Sequence, residues 1–238
     1  MTLLKRLLPV LLLLLAVPGF AATLKPYAAD YDVITHGVRA GVAKFQLEKL
    51  GKDRWRFKSD SHATGLVSLF RDDVISESSV FTIADSGEFS AREYRYSHTG
   101  DDERTQSILF DWKHDVAHST YRGDEKKIDI PKGASDPFLA QLKLSRSVAG
   151  GMDAGSFPVV NRNELEVYHL KVVGRDAISV PAGAFTAVRV ERSEPGSIRK
   201  TIFWLAPKLN YVPVKVAQIK DGDPVFRLEL RSIQFGKK

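Results

Sequence analysis

Two histidines four residues apart, His114 and His118, are the first residues whose spacing suggests chemistry. On a helix such a pair puts two imidazoles on one face, ready to hold a metal ion. Here the pair flanks a turn in Trp112-Lys-His-Asp-Val-Ala-His118, so helical geometry is not expected, and no third ligand is near in sequence. Asp72-Asp73 and Asp101-Asp102-Glu103 are the carboxylate groupings that acid–base work or calcium would need. The second follows Gly100 between two strand-like runs and reads as a polar hairpin loop without calcium-ligand spacing. His36, His62, His98 and His169 are scattered singly, and neither Gly-x-Ser-x-Gly nor His-Glu-x-x-His occurs. The chain has no cysteine, which removes thiol catalysis, thiolate metal sites and disulfides. No catalytic residue, cofactor or metal site is assigned, and the chain reads more as a non-enzyme than an enzyme.

The elements that would position any site are mostly strands. Period-2 alternation of apolar and polar residues, bounded by Gly, Asp, Asn or Pro, predicts strands at 27–34, 40–50, 54–62, 74–84, 89–99, 106–112, 117–121 and 126–130. After residue 160 the same pattern predicts strands at 164–173, 184–191, 199–205, 212–220 and 225–235. No alternation of strand and helix is present, so a parallel sheet is not expected. The expected fold is mainly β: a strongly curved antiparallel sheet or an open or closed β-barrel, because so many consecutive strands relieve their edges by curling.

One segment departs from this pattern decisively. Asp136-Pro-Phe-Leu-Ala-Gln-Leu-Lys-Leu-Ser-Arg-Ser-Val-Ala-Gly150 predicts a short helix, with Asp136 as N-cap, Pro137 in the first turn and Gly150 at the C-terminus. Phe138, Leu139 and Leu142 share one face, so the helix should dock at the mouth or on the concave face of the sheet. A second irregular stretch, 65–71, is apolar at helical as well as strand spacing. Its Leu66, Val67, Leu69 and Phe70, together with Phe138, Leu139 and Leu142, form the candidate lid or rim of an apolar pocket.

The first residues have a different character. Lys5-Arg6 precede an apolar run from Leu7 to Val17, and small residues follow through Ala21-Ala22. That is the layout of a secretory signal peptide, too short for a membrane-spanning helix. Residues 1–21 are expected to be cleaved, with cleavage after Ala22 as the alternative, leaving 22–238 as a single β-rich domain delivered to the periplasm. Without cysteine no lipid-modified N-terminus can form, and no transmembrane span is expected in the mature chain. The net charge of +6 is mild, and its Lys and Arg alternate with apolar residues as on a solvated sheet face, so nucleic acid is not an expected partner.

Several segments together carry a family resemblance. Val180-Pro-Ala-Gly-Ala-Phe185 resembles a Val-Pro-Ala-Gly-x-Phe turn, and Phe203-Trp-Leu-Ala with Tyr211-Val-Pro213 resembles a Trp-strand followed by Tyr-x-Pro-Val. Thr64-Gly-Leu-Val-Ser-Leu-Phe70 is similar to a Thr-Gly-hydrophobic segment, and Asp136-Pro to a helix start. In this order they resemble the bacterial domain-of-unknown-function family 3108 over nearly all of the mature chain. The resemblance implies an exported, barrel-like domain and no established reaction. Its motif residues Pro181, Gly183, Phe185, Trp204 and Pro213 read as structural: Pro181 fixes φ, Gly183 tolerates a tight turn, Trp204 anchors a hairpin and Pro213 marks a bulge or edge.

The functional expectation is a periplasmic binding or carrier module for an apolar or amphipathic ligand such as a lipid. An envelope structural or interaction protein is the alternative, and a hydrolase of envelope polymers has the least support.

Overall fold

The structure is a computed structural model that describes residues 24–65, 68, 73–100, 103–193 and 195–236. Leu66, Val67, Leu69 and Phe70 lie outside the described residues, as does the expected 1–21 signal segment.

Among the described residues fourteen strands form one antiparallel sheet in the order β8-β7-β6-β5-β4-β3-β2-β1-β14-β13-β12-β11-β10-β9. The first eight are β1 (Tyr27–Thr35), β2 (Val38–Lys49), β3 (Arg54–Ala63), β4 (Val74–Ile83), β5 (Phe89–Thr99), β6 (Arg104–Asp111), β7 (Val116–Tyr121) and β8 (Asp124–Asp129). A helix, α1 (Pro137–Ala149), intervenes before β9 (Ala154–Asn161), β10 (Glu164–Val180), β11 (Gly183–Ser193), β12 (Arg199–Ala206), β13 (Val212–Lys220) and β14 (Asp223–Phe235). The chain is thus two meanders, stitched together where β1 pairs with β14 from Tyr27↔Phe235 to Thr35↔Phe226.

The sheet curls until its two ends, β8 and β9, nearly meet. Ser135 fills the seam: its N–H donates to the Pro158 carbonyl (3.1 Å), and its carbonyl accepts from Val160 N (2.9 Å). Asn163 Nδ2 adds a bond to the Asp124 carbonyl at 2.8 Å. β8 reads Asp-Glu-Lys-Lys-Ile-Asp and is almost wholly exposed, so its charges discourage edge-to-edge pairing with a second chain.

α1 runs where the sequence places it. Asp136 accepts from the N–H groups of Phe138 (3.0 Å) and Leu139 (2.7 Å), and Gly150 N–H closes the other end on the Arg146 carbonyl. Phe138, Leu139, Ala140, Leu142, Leu144 and Val148 are all buried, which is more than one face of a short helix. α1 therefore lies against the concave face and packs on both meanders. Phe138 stacks on Phe57 of β3 (centroids 4.1 Å, interplanar 13°), while Leu144 and Val148 pack with Leu170, Val188, Phe203 and Leu205 of the second meander.

Two strands differ from the sequence pattern. β9 is absent from the strands expected from sequence; its Pro158 is tolerated because β9 is a terminal strand of the sheet. β10 continues to Val180, well past the expected end at Val173. Val173 is the extra residue of a bulge, and Gly174, at φ +149, resumes the pairing opposite Arg189 instead of ending the strand. Beyond that bulge the β10–β11 hairpin tip lies across the sheet, and Ala182 N donates to the Leu230 carbonyl of β14 (2.9 Å).

Candidate functional site

Strand register decides what faces the interior. The row Ala29–Phe45–Ser59–Glu77–Tyr96–Gln106 crosses β1 to β6 with every member on the concave side. On the second meander the row Arg192–Thr201–Gln218–Phe226 does the same from β11 to β14. α1 fills the space between the meanders only in part. Beyond Phe138 and Gln141 a cavity of about 460 Å³ remains.

Its wall is mostly aromatic and aliphatic. Phe45, Phe138 and Phe203 form the part nearest the helix, and Val33, Ile75 and Phe226 continue it toward the strand ends. The polar exceptions are few: Glu77, Gln141, Arg192, Thr201 and Gln218 with two serines, Ser59 and Ser61. An apolar wall with a handful of convergent polar groups is the general composition of a small-molecule site. At the other end of β1, a crevice beside Tyr27 and Leu142 has room for about 40 Å³, little more than a water or two. The larger cavity is the candidate site.

The acids beside it are both raised above the ordinary carboxylate range. Burial pushes the Glu77 carboxyl up to about 7, aided by the charge of Asp136; the Tyr94 hydroxyl, donating at 2.6 Å, opposes the rise. Burial likewise pushes Asp136 up to about 6, against the hydrogen bonds of its two helix N–H groups and of the Ser79 hydroxyl (2.7 Å). Burial raises Tyr94 well above its ordinary range, and the adjoining Glu77 adds to this. Arg192 spreads its guanidinium over the Tyr168 ring at 4.3 Å.

Each residue singled out by sequence has a definite place where it is described. Phe138 lines the cavity. Leu139 is fully buried beside it, and Leu142 lines the small crevice instead. The motif residues gather into one clamp on the sheet. Gly183, at φ +127, turns the hairpin tip, whose Val180, Ala182 and Phe185 pack on the core while Pro181 stays exposed. The Trp204 indole N–H donates to Asp176 Oδ2 of the same hairpin (2.8 Å). The Pro213 carbonyl accepts from the Tyr31 hydroxyl (2.8 Å), next to the register shift between Trp204 and Leu205.

The histidines do not assemble a reactive centre among the described residues. His98, 9% exposed, lies with Nε2 3.0 Å from Asp73 Oδ1 and Nδ1 3.0 Å from Arg104. A guanidinium only donates, so Nδ1 accepts and the ring proton sits on Nε2, aimed at Asp73. Both nitrogens are occupied, and neither is available as a general base. His114 pairs with Asp111 on the surface (2.6 Å), His118 is exposed on β7, and His169 meets only Ser156 (2.9 Å). No three metal-ligating side chains converge among the described residues. Sequence reasoning missed Glu77 altogether, because a single acid in an alternating Ser-rich strand carries no local mark of facing inward.

These features define a helix-filled, nearly closed antiparallel barrel with a lined cavity. The chain belongs to the family described as protein of unknown function (DUF3108), whose model matches residues 27–231. The fold is similar to that of a solved β-barrel-like protein of the domain of unknown function DUF1849 from Brucella abortus, at 11% identity and a TM-score of 0.56. That match covers 90% of this chain and 99% of the other. A Bacteroides fragilis protein described as a candidate exported protein with a YmcC-like fold matches at 12% identity, with a TM-score of 0.35, over 89% of this chain and 96% of its own. No curated protein matches the sequence. No helix among the described residues is long and apolar enough to cross a membrane.

Proposed function

We propose that the chain is an exported, non-enzymatic binding or carrier module that holds one apolar or amphipathic molecule, a lipid or acyl chain, in the barrel cavity. The observation that carries this reading is the cavity of about 460 Å³ walled by Phe45, Phe138, Phe203 and Phe226. A void of that size beside the packed helix forgoes the contacts its walls would make, and its aromatic wall distinguishes it from the second hollow, of about 400 Å³, which is lined mostly by polar residues such as Lys58, Asp60 and Arg95. It sits in the lower half of the ~300–1,000 Å³ range of small-molecule sites, which favours a single chain over a bulkier multi-chain lipid. Export rests on the leader-like residues 1–21, and the periplasm is the compartment it implies.

The test is titration with N-phenylnaphthylamine, a neutral apolar fluorophore, against the wild type and Thr201→Trp, which places an indole in the cavity. The reading expects saturable binding near one probe per chain, weakened at least tenfold by the substitution. Equal binding to both proteins contradicts it.

A further inference from the structure

Among the described residues Glu77 is the one acidic side chain in the cavity wall, beside its aromatic floor, where a bound ligand bears directly on its charge. We propose that the cavity takes up an uncharged apolar chain together with one proton, which settles on Glu77, so that loading and release are governed by pH. This rests on the proposed ligand-binding reading and adds the charge class of the ligand segment and the control of the site.

The geometry supports it in three ways. Glu77 lies in register between Ser59 and Tyr96, so its carboxyl shares the wall with Phe45 and Phe138. A chain lying on those rings displaces the water that an ionised carboxylate needs, and a carboxylate left dry is far costlier than a carboxylic acid. The Tyr94 hydroxyl donates to Oε1 at 2.6 Å, which by itself favours the carboxylate but leaves Oε2 as the place for the proton.

The surrounding charges do not neutralise the carboxylate as an ion pair would. β2 offers Phe45 and β3 offers Ser59, neither of them charged. β5 offers the phenols Tyr94 and Tyr96, with His98 further toward the strand end, where it is engaged by Asp73 and by Arg104 of β6. α1 offers Asp136, whose charge opposes that of Glu77, along with Gln141 in the cavity wall and Lys143, which acts on Asp136. Across the cavity Arg192 stacks on Tyr168. With its ordinary protonation already displaced to about 7, the carboxyl titrates where modest changes in pH alter its charge.

The experiment is the affinity of the full chain for N-phenylnaphthylamine, which has no titrating group in the range used, at about pH 6 and about pH 8.5. If only the protonated form binds, affinity falls roughly thirtyfold between them, and Glu77→Gln binds within about twofold at both. Calorimetry of the wild type in two buffers of different ionisation enthalpy gives an independent reading should the variant fail to fold. It should show uptake of about 0.9 proton per probe near pH 8. Binding that is independent of pH and without proton uptake overturns the inference while leaving the cavity reading intact. Absence of binding at every pH overturns both.

Discussion

The Trp204 indole N–H donates to Asp176 Oδ2 at 2.8 Å, and Arg189 donates to the same oxygen at 3.2 Å. The bond ties β12 to the long β10–β11 hairpin just beyond the bulge at Val173. It gives the Trp-strand and the Val-Pro-Ala-Gly turn, separate in sequence, a common structural task. Asp176→Ala removes the acceptor of both donors. It should destabilise by about 1–3 kcal/mol, lowering the melting temperature by roughly 2–4 °C per kcal/mol for a domain of this size. Thermal melts of the variant beside Trp204→Phe check this, since the phenylalanine keeps the ring packing and should cost less.

Asp136 and Ser79 form the corresponding device at the helix. One Asp136 oxygen caps two backbone N–H groups and the other accepts the Ser79 hydroxyl, all without exposure to solvent. Asp136→Asn retains a good N-cap and removes a buried charge, so near-wild-type stability is expected at pH 7. Asp136→Ala leaves two helix donors and a buried hydroxyl without partners, and a loss of about 2–4 kcal/mol is expected in denaturant unfolding.

Glu77 predicts how stability follows pH. Its folded-state value, about 7, lies above its ordinary 4.5, so its stabilising contribution is complete below 4.5 and is lost as pH rises through 7. Glu77→Gln should match the wild type near pH 5 and exceed it at pH 8. The shift sets an upper bound of about 3 kcal/mol on the difference. Melts at the two pH values measure it; an advantage for the variant that is the same at both contradicts the assignment.

Phe138 bridges the core and the cavity. Stacked on Phe57 and 5.9 Å from Phe45, it has no exposed surface. Phe138→Ala should cost about 3–5 kcal/mol. Phe138→Leu keeps most of the apolar volume and should cost less, and the comparison separates lost packing from lost helix docking.

The proposed leader offers a prediction of a different kind. Protein secreted from a host with the full chain should begin at Ala22 when its N-terminus is sequenced, and substituting Ala21→Asp, which removes the small residue at the cleavage point, should leave the precursor unprocessed.

Local chemistry made much of this fold readable in advance. Asp136, Pro137 and Gly150 carry their own capping signals, and the helix lies where they place it. Alternation located thirteen of the fourteen strands, since half-buried antiparallel strands write their facing into every second residue. It failed where a local stop signal was overruled by tertiary pairing: Pro158 inside β9 and Gly174 inside β10. The cavity was less legible. Phe138 was recognisable as inward-facing, but Glu77, Arg192 and Thr201 meet only because β1 pairs with β14 across the whole chain, and no window of sequence records that pairing. The buried Asp73–His98–Arg104 contact was hidden for the same reason.

The most direct test of the central claim is native mass spectrometry of the protein purified from the periplasm, the compartment proposed for it, with organic extraction of the same sample. The account predicts a single-chain apolar or amphipathic molecule bound at about one per chain in the wild type and depleted in Thr201→Trp. Wild-type and Thr201→Trp proteins that both come through as the bare chain, with nothing extractable and no uptake of added lipid, would contradict it.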